Sequence, residues 1–365
     1  MKKTINEKSL FWLGYFLIIF SDMFVMVDLV SSLLDYINVI GLILIILYNF
    51  ITSSYDWKTT IIMIILFLCS IFSYSIFKDF IILKFLILLF SLKKMDFDEL
   101  IKKDITIKIS LTLLLILLFI LGLTNSQTFI RNESLRYSLG FTHPNTAGFY
   151  FMIIAFELIY LYRGKIKKTY IFYLILLAIM VNELTGSRSS VISIILLSIF
   201  LLYYKYSKCR LLNNKIIKFV VRNSFFILML FSFIVTMKYQ SGTSLAIKLN
   251  SILSGRLSLF SFYVSRYNIT VFGNDLITKG NMTLDNSYLY LLLKFGIISF
   301  LVYYLLYRQK IMELYQNKDY VFIFIILTLM IYGLMEITTL KSTYNIFLLS
   351  FSTLLFKSSK EKKIK

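Results

Sequence analysis

The chain carries few residues suited to chemistry, and two of the most unusual stand close together. His143 is the only histidine of the 365 residues, and it precedes the only proline in the stretch RYSLGFTHPNTAGFY. Arg136 lies seven residues before it. Near neutral pH a histidine donates, accepts or shuttles a proton. An arginine offers a phosphate two parallel charge-assisted hydrogen bonds. The pair therefore indicates a site for an anionic substrate.

Two more arginines stand in short polar stretches. Arg188 lies in TGSRSS, a hydroxyl-rich turn directly before a predicted helix, and Arg256 follows Gly255 in LSGRLSLF. A helix N-terminus beside an arginine is a ready anion site, and glycine permits the bend that aims Arg256. The ordinary interpretation is that such arginines extend to lipid headgroups. Local context favours function for Arg136, Arg188 and Arg256, whereas Arg266 fits both interpretations equally.

Helix-capping residues account for the rest of these stretches. Asn145 and Thr146 are expected to cap a helix that starts at Ala147, and Asp285 and Asn286 to cap the helix that follows LDNSY. Capping does not exclude a second role for Asp285, because acids are scarce in the predicted outer segments. Asp285 and His143 are therefore kept as candidate functional residues.

The elements that must position these residues are membrane-spanning helices. The chain is 58% hydrophobic and 16% charged, with a mean hydropathy of +0.79, and apolar runs long enough to cross a bilayer recur throughout. The sequence predicts an all-α polytopic protein of one domain, residues 1–365, with about twelve spans. They are placed at 9–27, 31–51, 59–77, 79–92, 105–123, 146–162, 169–184, 189–204, 223–237, 287–307, 320–336 and 342–356.

Charge placement predicts the orientation. Most of the 39 lysines and arginines fall in short segments that lie on one side if the N-terminus is cytoplasmic, so both termini are expected inside. Two long outer loops result, at about 124–145 and 238–286, and the second is expected to hold one or two amphipathic helices. Three lysines, Lys84, Lys108 and Lys294, fall inside predicted spans. The formal charge of +20 lies mainly in loops that attract anionic membrane lipids, and we predict no nucleic-acid partner.

Metal and cofactor chemistry is not expected. One histidine and two distant cysteines offer neither the usual zinc ligands nor a disulfide framework. The sequence also lacks a convincing pair of carboxylates for a divalent metal. We therefore predict no metal and no cofactor.

The order of the motifs resembles a known family. RYSLGFTHPN, TGSRSS, a long loop with SGR and Phe272–Gly273, and then DNSYLYLLLKFG are similar to the Wzy-type polysaccharide polymerases of the O-antigen ligase superfamily. Among them, capsule and exopolysaccharide polymerases of Gram-positive bacteria are the nearest match. The motifs cover roughly residues 124–300, and hydropathy alone supports the rest.

The resemblance implies a glycosyltransferase at the outer face of the plasma membrane. A sugar hydroxyl of one repeat unit attacks the anomeric carbon of a chain carried on polyprenyl diphosphate, and the lipid diphosphate leaves. The implied partners are the lipid-linked oligosaccharide, a flippase and a chain-length regulator of the same pathway. Four arginines are candidates to hold the diphosphate: Arg136, Arg188, Arg256 and Arg266. Asp285 is the preferred base, and His143 is expected to position a sugar or the diphosphate.

One position departs from the family pattern. Ligase-branch members carry His-Asn, nine residues and then Gly, whereas here Asn286 and Gly296 keep the spacing and Asp285 replaces the histidine. The difference argues against ligase activity. The alternatives are a ligase-type transferase, a flippase for lipid-linked oligosaccharide, and a non-catalytic scaffold. The predicted number of spans is consistent with a flippase. In a flippase, however, the unusual residues would be expected at mid-membrane rather than in outer loops.

Overall fold

The computed structural model describes residues 7–125, 128–131, 134–207, 209–276 and 283–356. In chain order the helices are α1 (Glu7–Met23), α2 (Asp28–Ser31), α3 (Leu34–Thr52), α4 (Trp57–Phe77), α5 (Ile81–Ser91), α6 (Phe97–Ile120), α7 (Pro144–Leu161), α8 (Lys168–Thr185), α9 (Arg188–Ser207), α10 (Lys215–Arg222), α11 (Ser224–Gln240), α12 (Ser244–Ile252), α13 (Arg256–Arg266), α14 (Ser287–Lys294), α15 (Gly296–Gln316), α16 (Tyr320–Tyr332) and α17 (Ser352–Leu355). Two short antiparallel strands, β1 (Thr128–Arg131) and β2 (Ser134–Tyr137), form a hairpin.

The predicted all-α class is confirmed. Among the described residues, five helices are long and apolar enough to cross a membrane: α3, α4, α7, α8 and α9. Helices α10 and α11 form a pair bent by 69°, which would make a sixth span if counted as one. These helices identify the chain as a membrane-embedded protein.

The prediction of about twelve spans is not confirmed, and two predicted spans have a different form. The segment 287–307 is interrupted at Phe295, between α14 and α15. Within 342–356 the structure has a 3-10 turn, Ile346–Phe351, followed by the four residues of α17. Residues 1–6 and 357–365 lie outside the described residues, so the cytoplasmic placement of both termini stays a prediction. The same is true of the outer placement of the two long loops, which include 126–127, 132–133 and 277–282.

The chain divides into two compact units, and the prediction of one domain over residues 1–365 stays a prediction. Unit 1 comprises residues 1–60, 84–205 and 342–365. Within it α1 and α3 cross closely, because a Cβ atom at Gly14 would lie 2.6 Å from the Gly41 carbonyl oxygen. Small residues at such crossings let helix backbones approach. The aromatic side chains of Phe11, Tyr15 and Tyr48 are buried beside this crossing.

Unit 2 comprises residues 61–83 and 206–341. The stretch expected to form amphipathic helices contains α12 and α13. Helix α13 buries Leu257, Phe260 and Tyr263 in an apolar cluster, and exposes Ser258, Ser265 and Arg266. The other members of that cluster are Leu276, Leu284, Leu289 and Leu293. Packing against α14 thus fixes the end of the long loop.

The interruption between α14 and α15 is closed by the loop 270–273. The amides of Ile297 and Ile298 donate to the carbonyls of Thr270 and Val271, and Asn274 donates to Leu293. The loop thereby satisfies backbone groups of the first turn of α15, which have no partner inside the helix. Gly273 and Gly296 both adopt left-handed backbone angles at this contact, with φ of 97° and 81°.

Gly273→Ala is expected to destabilise unit 2 strongly. A Cβ atom there would lie 1.9 Å from the Lys294 carbonyl oxygen, so the loop must separate from the α14–α15 junction. Backbone strain of about 1–2 kcal/mol is then added to an overpacking cost of about 1–3 kcal/mol. Denaturation of the purified protein in detergent measures the loss.

Gly242→Ala is the matched control. Gly242 also has a positive φ, 72°, but no atom lies within 4 Å of a Cβ built there. Gly242→Ala should therefore lose only the stability that the backbone strain costs, about 1–2 kcal/mol. Equal losses from the two variants would contradict the close contact described for Gly273.

Candidate functional site

In unit 1, Arg136 is a buried arginine at the centre of three elements. It lies on β2 opposite Phe129 and is 7% exposed. Its Nε donates to the Thr185 carbonyl oxygen at 2.8 Å, and its Nη2 donates to Asn145 Oδ1 at 2.7 Å. The guanidinium group therefore joins the hairpin, the first turn of α7 and the end of α8.

The turn between α8 and α9 is built closely around that guanidinium group. Gly186 ends α8 in the left-handed conformation, and a Cβ atom there would lie 2.8 Å from Arg136 Nε. Ser187 donates its amide to Thr185 Oγ1 and its hydroxyl to Ser190. A Cβ atom at Gly148 would lie 2.6 Å from that of Ser187. Small residues in TGSRSS are thus required by close packing on α7 and on Arg136.

Arg188 is the exposed member of this cluster. It is the first residue of α9 and makes no hydrogen bond or ion pair with the described residues. The first turn of α9 carries amide groups without intrahelical acceptors and the positive end of the helix dipole. The structure thus brings Arg136 and Arg188 to one turn. Such an arrangement can bind a phosphate group.

His143 begins α7, which corrects the predicted start of this helix. The helix starts at Pro144 rather than Ala147, and the N-cap is His143, whose Nδ1 accepts the amide of Asn145 at 3.0 Å. The expectation that Asn145 and Thr146 cap the helix was wrong. Proline is favoured at the first helical position because its missing N–H needs no acceptor there.

The capping bond also defines what the imidazole can do. Since Nδ1 is an acceptor, the neutral ring carries its proton on Nε2 and acts as a donor. The ring also lies 4.8 Å from the ring of Phe129, centroid to centroid. This arrangement suits the His143 Nε2–H for donating to a sugar or phosphate oxygen. The capping bond occupies Nδ1, the only nitrogen of this neutral ring that could act as a base.

In unit 2, Arg256 and Glu336 form the central ion pair. Gly255, in the left-handed conformation, precedes α13, and Arg256 is its first residue. Arg256 Nη2 lies 2.8 Å from Glu336 Oε1, while its Nη1 is buried without a hydrogen bond to the described residues. Burial alone would lower the pKa of the Arg256 guanidinium, but the carboxylates of Glu336 and Asp285 raise it above its ordinary value. Arg256 therefore remains charged, and its Nη1 has no acceptor among the described residues.

Asn286, and not Asp285, caps α14. The Asn286 side chain accepts the amides of Tyr288 and Leu289 and donates to Ser232 Oγ and the Leu334 carbonyl oxygen. The carboxylate of Asp285 is half-buried and makes no hydrogen bond with the described residues. Asp285 thus precedes Asn286, which four hydrogen bonds hold in place, while the Asp285 carboxylate oxygens accept no hydrogen bond from the described residues.

Arg266 lies at the opposite end of α13 from Arg256. The two are ten positions apart on the helix, or about 15 Å along its axis. Arg266 is exposed and lies over the ring of Phe262 at 5.7 Å. The structure thus does not bring Arg266 to the Arg256–Glu336 pair.

Sequence reasoning assigned no role to Glu336. It lies in the turn after α16, where Ser287 Oγ donates to its carbonyl oxygen and Thr339 contacts the same hydroxyl. Its position at the end of a predicted span, as one of few outer acids, was the available signal. Only the fold places it beside Arg256, 80 residues away.

No protein-family model, curated protein or solved structure matches the chain. Function is therefore inferred from the chain's own residues. The structure arranges the predicted site residues, except Arg266, in two clusters: Arg136, His143, Asn145 and Arg188 in unit 1, and Gly255, Arg256, Asp285 and Asn286 in unit 2.

Proposed function

We propose that the chain is a membrane glycosyltransferase that joins oligosaccharide repeat units carried on polyprenyl diphosphate. The observation that supports it best is the turn between α8 and α9 in unit 1. Buried Arg136 donates a hydrogen bond to this turn, and exposed Arg188 follows the turn at the N-terminus of α9. A diphosphate leaving group needs fixed donors and positive charge, and preorganised charges are the usual way to stabilise such a transition state. We place the reaction at the outer face of the plasma membrane, as the predicted topology implies.

In the proposed reaction a sugar hydroxyl of one repeat unit attacks the anomeric carbon of another. The new glycosidic C–O bond forms as the bond from that carbon to the diphosphate oxygen breaks, and the lipid diphosphate leaves. We assign Arg188 to the departing diphosphate and Arg136 to holding the turn that carries it. The His143 Nε2–H is assigned to donating a hydrogen bond that orients a sugar or phosphate oxygen.

The attacking hydroxyl must also lose a proton. Asp285 of unit 2 stays the predicted base, because its carboxylate makes no hydrogen bond with the described residues and Asn286, not Asp285, caps α14. A positioned base contributes about 10²–10⁴-fold to rate. Arg256, held by Glu336, interacts electrostatically with Asp285.

A flippase for lipid-linked oligosaccharide is the second candidate. It is favoured by charged side chains buried within helices of unit 1, above all Lys108, which is 0% exposed. Ionisable residues inside membrane helices commonly mark transport paths.

One reconstitution separates the candidates. Purified full-length protein is placed in liposomes with a lipid-diphosphate-linked repeat unit, and product length and repeat-unit sidedness are followed together. We expect oligomers of the repeat unit to appear. Translocation without elongation would replace the glycosyltransferase with the flippase. Folded protein that neither elongates nor translocates the repeat unit would contradict both proposed functions.

A further inference from the structure

Unit 1 contains three charged side chains with no exposed surface. Lys108 of α6 lies between Asp104, one turn earlier on the same helix, and Glu157 of α7. Its Nζ is 2.6 Å from Asp104 Oδ2 and 2.7 Å from Glu157 Oε1, and it also donates to the Tyr344 carbonyl oxygen at 3.2 Å. We call Asp104, Lys108 and Glu157 the buried triad. All three side chains are 0% exposed.

The charges of the buried triad do not balance. Two ionised carboxylates and one ammonium group leave a net charge of −1 in an apolar bundle. Removing an uncompensated ion from water costs several kcal/mol even after relaxation, and such a group usually becomes neutral instead. Neutrality requires one additional positive charge.

No neighbouring group among the described residues supplies that charge. The other titratable side chains that face the triad are two phenols, Tyr15 of α1 and Tyr150 of α7. Tyr15 donates its hydroxyl to Asp104 Oδ1 at 2.9 Å. The next charged groups among the described residues of unit 1 are Asp22, which interacts with Tyr150 and Tyr344, and Lys84. Lys84 is already paired with Asp22 at 3.1 Å.

Two buried carboxylate oxygens of the triad make no hydrogen bond with the described residues. One is Asp104 Oδ2, whose only contact of this kind is the ion pair with Lys108. The other is Glu157 Oε2. The carboxyl groups of Asp104 and Glu157 are close together, because Asp104 Oδ2 and Glu157 Oε1 both lie within 2.7 Å of Lys108 Nζ. Two ionised carboxylates can only repel each other there, because both are acceptors. A proton on Glu157 would convert this contact into an O–H···O hydrogen bond.

We propose that the buried triad is a proton-binding site, in which Glu157 carries a proton and donates a hydrogen bond to Asp104 beside charged Lys108. The proton comes from water and returns to water, and no other bond changes. Carboxyl groups buried among membrane helices commonly form proton relays. Tyr344 contacts both the triad, through its carbonyl, and the Asp22 backbone, through its hydroxyl at 3.3 Å. The inference goes beyond the proposed glycosyl transfer and holds for either candidate function.

Infrared difference spectroscopy of the full-length protein in lipid nanodiscs tests this inference at pH 7. A protonated carboxyl group has a carbonyl stretch that shifts on exchange into deuterated water. We expect this band in the wild-type protein and expect Glu157→Gln to abolish it. Glu183→Gln is the control, because Glu183 is exposed on α8, and it should leave the band unchanged. Absence of the band in the wild-type protein, or its retention in Glu157→Gln, would overturn the proposal.

Stability provides an independent reading. Glutamine is neutral and hydrogen-bonds in place of a protonated glutamate, so Glu157→Gln should keep the wild-type Tm. If both carboxylates were ionised around Lys108, the same change would remove half of the ion pairing. A large fall in Tm, or failure to fold, would therefore also overturn the proposal.

Discussion

Lys108→Met is expected to lower the free energy of unfolding by about 3–5 kcal/mol, the loss typical of a buried ion pair that loses one partner. The ammonium group is fully buried and contacts Asp104, Glu157 and the Tyr344 carbonyl oxygen. Without it at least one buried carboxylate has no counter-charge, whether or not Glu157 carries a proton. Denaturation of purified protein in detergent, followed by circular dichroism, measures the change.

Lys102→Met is the matched control, because Lys102 lies on the same helix with its side chain exposed. A surface substitution of this kind changes stability by about 0.5 kcal/mol or less. A triple variant, with Lys108, Asp104 and Glu157 all replaced by leucine or methionine, should recover most of the loss, since well-packed apolar groups often substitute for buried ions without cost. Lys108→Met with the stability of Lys102→Met would contradict the description of a dry triad around a charged lysine.

Arg188→Gln is expected to lower the rate of repeat-unit joining by about 10²–10³-fold, the effect of removing one preorganised donor from a developing anion. Arg188 is exposed and bonded to no described residue, so its loss should leave Tm unchanged. Arg188→Lys should retain part of the rate, because lysine keeps the charge but not the planar fork.

Lys205→Gln controls for the general effect of removing a positive charge from α9. Lys205 is exposed in the last turn of the same helix, at the end opposite Arg188. It should join repeat units at the wild-type rate. Equal rates for Arg188→Gln and the wild-type protein would remove Arg188 from the proposed diphosphate site.

The sequence was sufficient for the local parts of the fold. Apolar runs predicted the spanning helices α3, α4 and α7 to within a few residues, because length and hydropathy set such helices without reference to neighbours. It failed where neighbouring residues compete for one role. Both His143 and Asn145 can cap a helix. Pro144 favours the first helical position, which makes the preceding residue, His143, the N-cap.

Interactions between distant helices could not be predicted. Lys84, Lys108 and Lys294 were recognised as lysines inside spans, but their partners were not. Each lies against a carboxylate from another element, with Lys84 against Asp22 and Lys294 against Asp79. Only Asp104, four residues before Lys108, was available from spacing.

One spacing noted in the sequence has a structural explanation. Asn286 caps α14, and Gly296 begins α15 after the interruption at Phe295. The nine residues between them are therefore the eight of α14 and Phe295. The spacing describes a short helix with a cap at one end and a glycine at the other, and it is independent of the residue at position 285.

The stoichiometry of the reaction tests the proposed function most directly. Purified protein in liposomes is given a lipid-diphosphate-linked repeat unit, and released lipid diphosphate is counted against new glycosidic bonds. We predict one lipid diphosphate released for each bond formed, at a rate that falls in Arg188→Gln and not in Lys205→Gln. Folded protein that forms no bond, or that releases lipid diphosphate without forming one, would contradict the assignment as a polymerising glycosyltransferase.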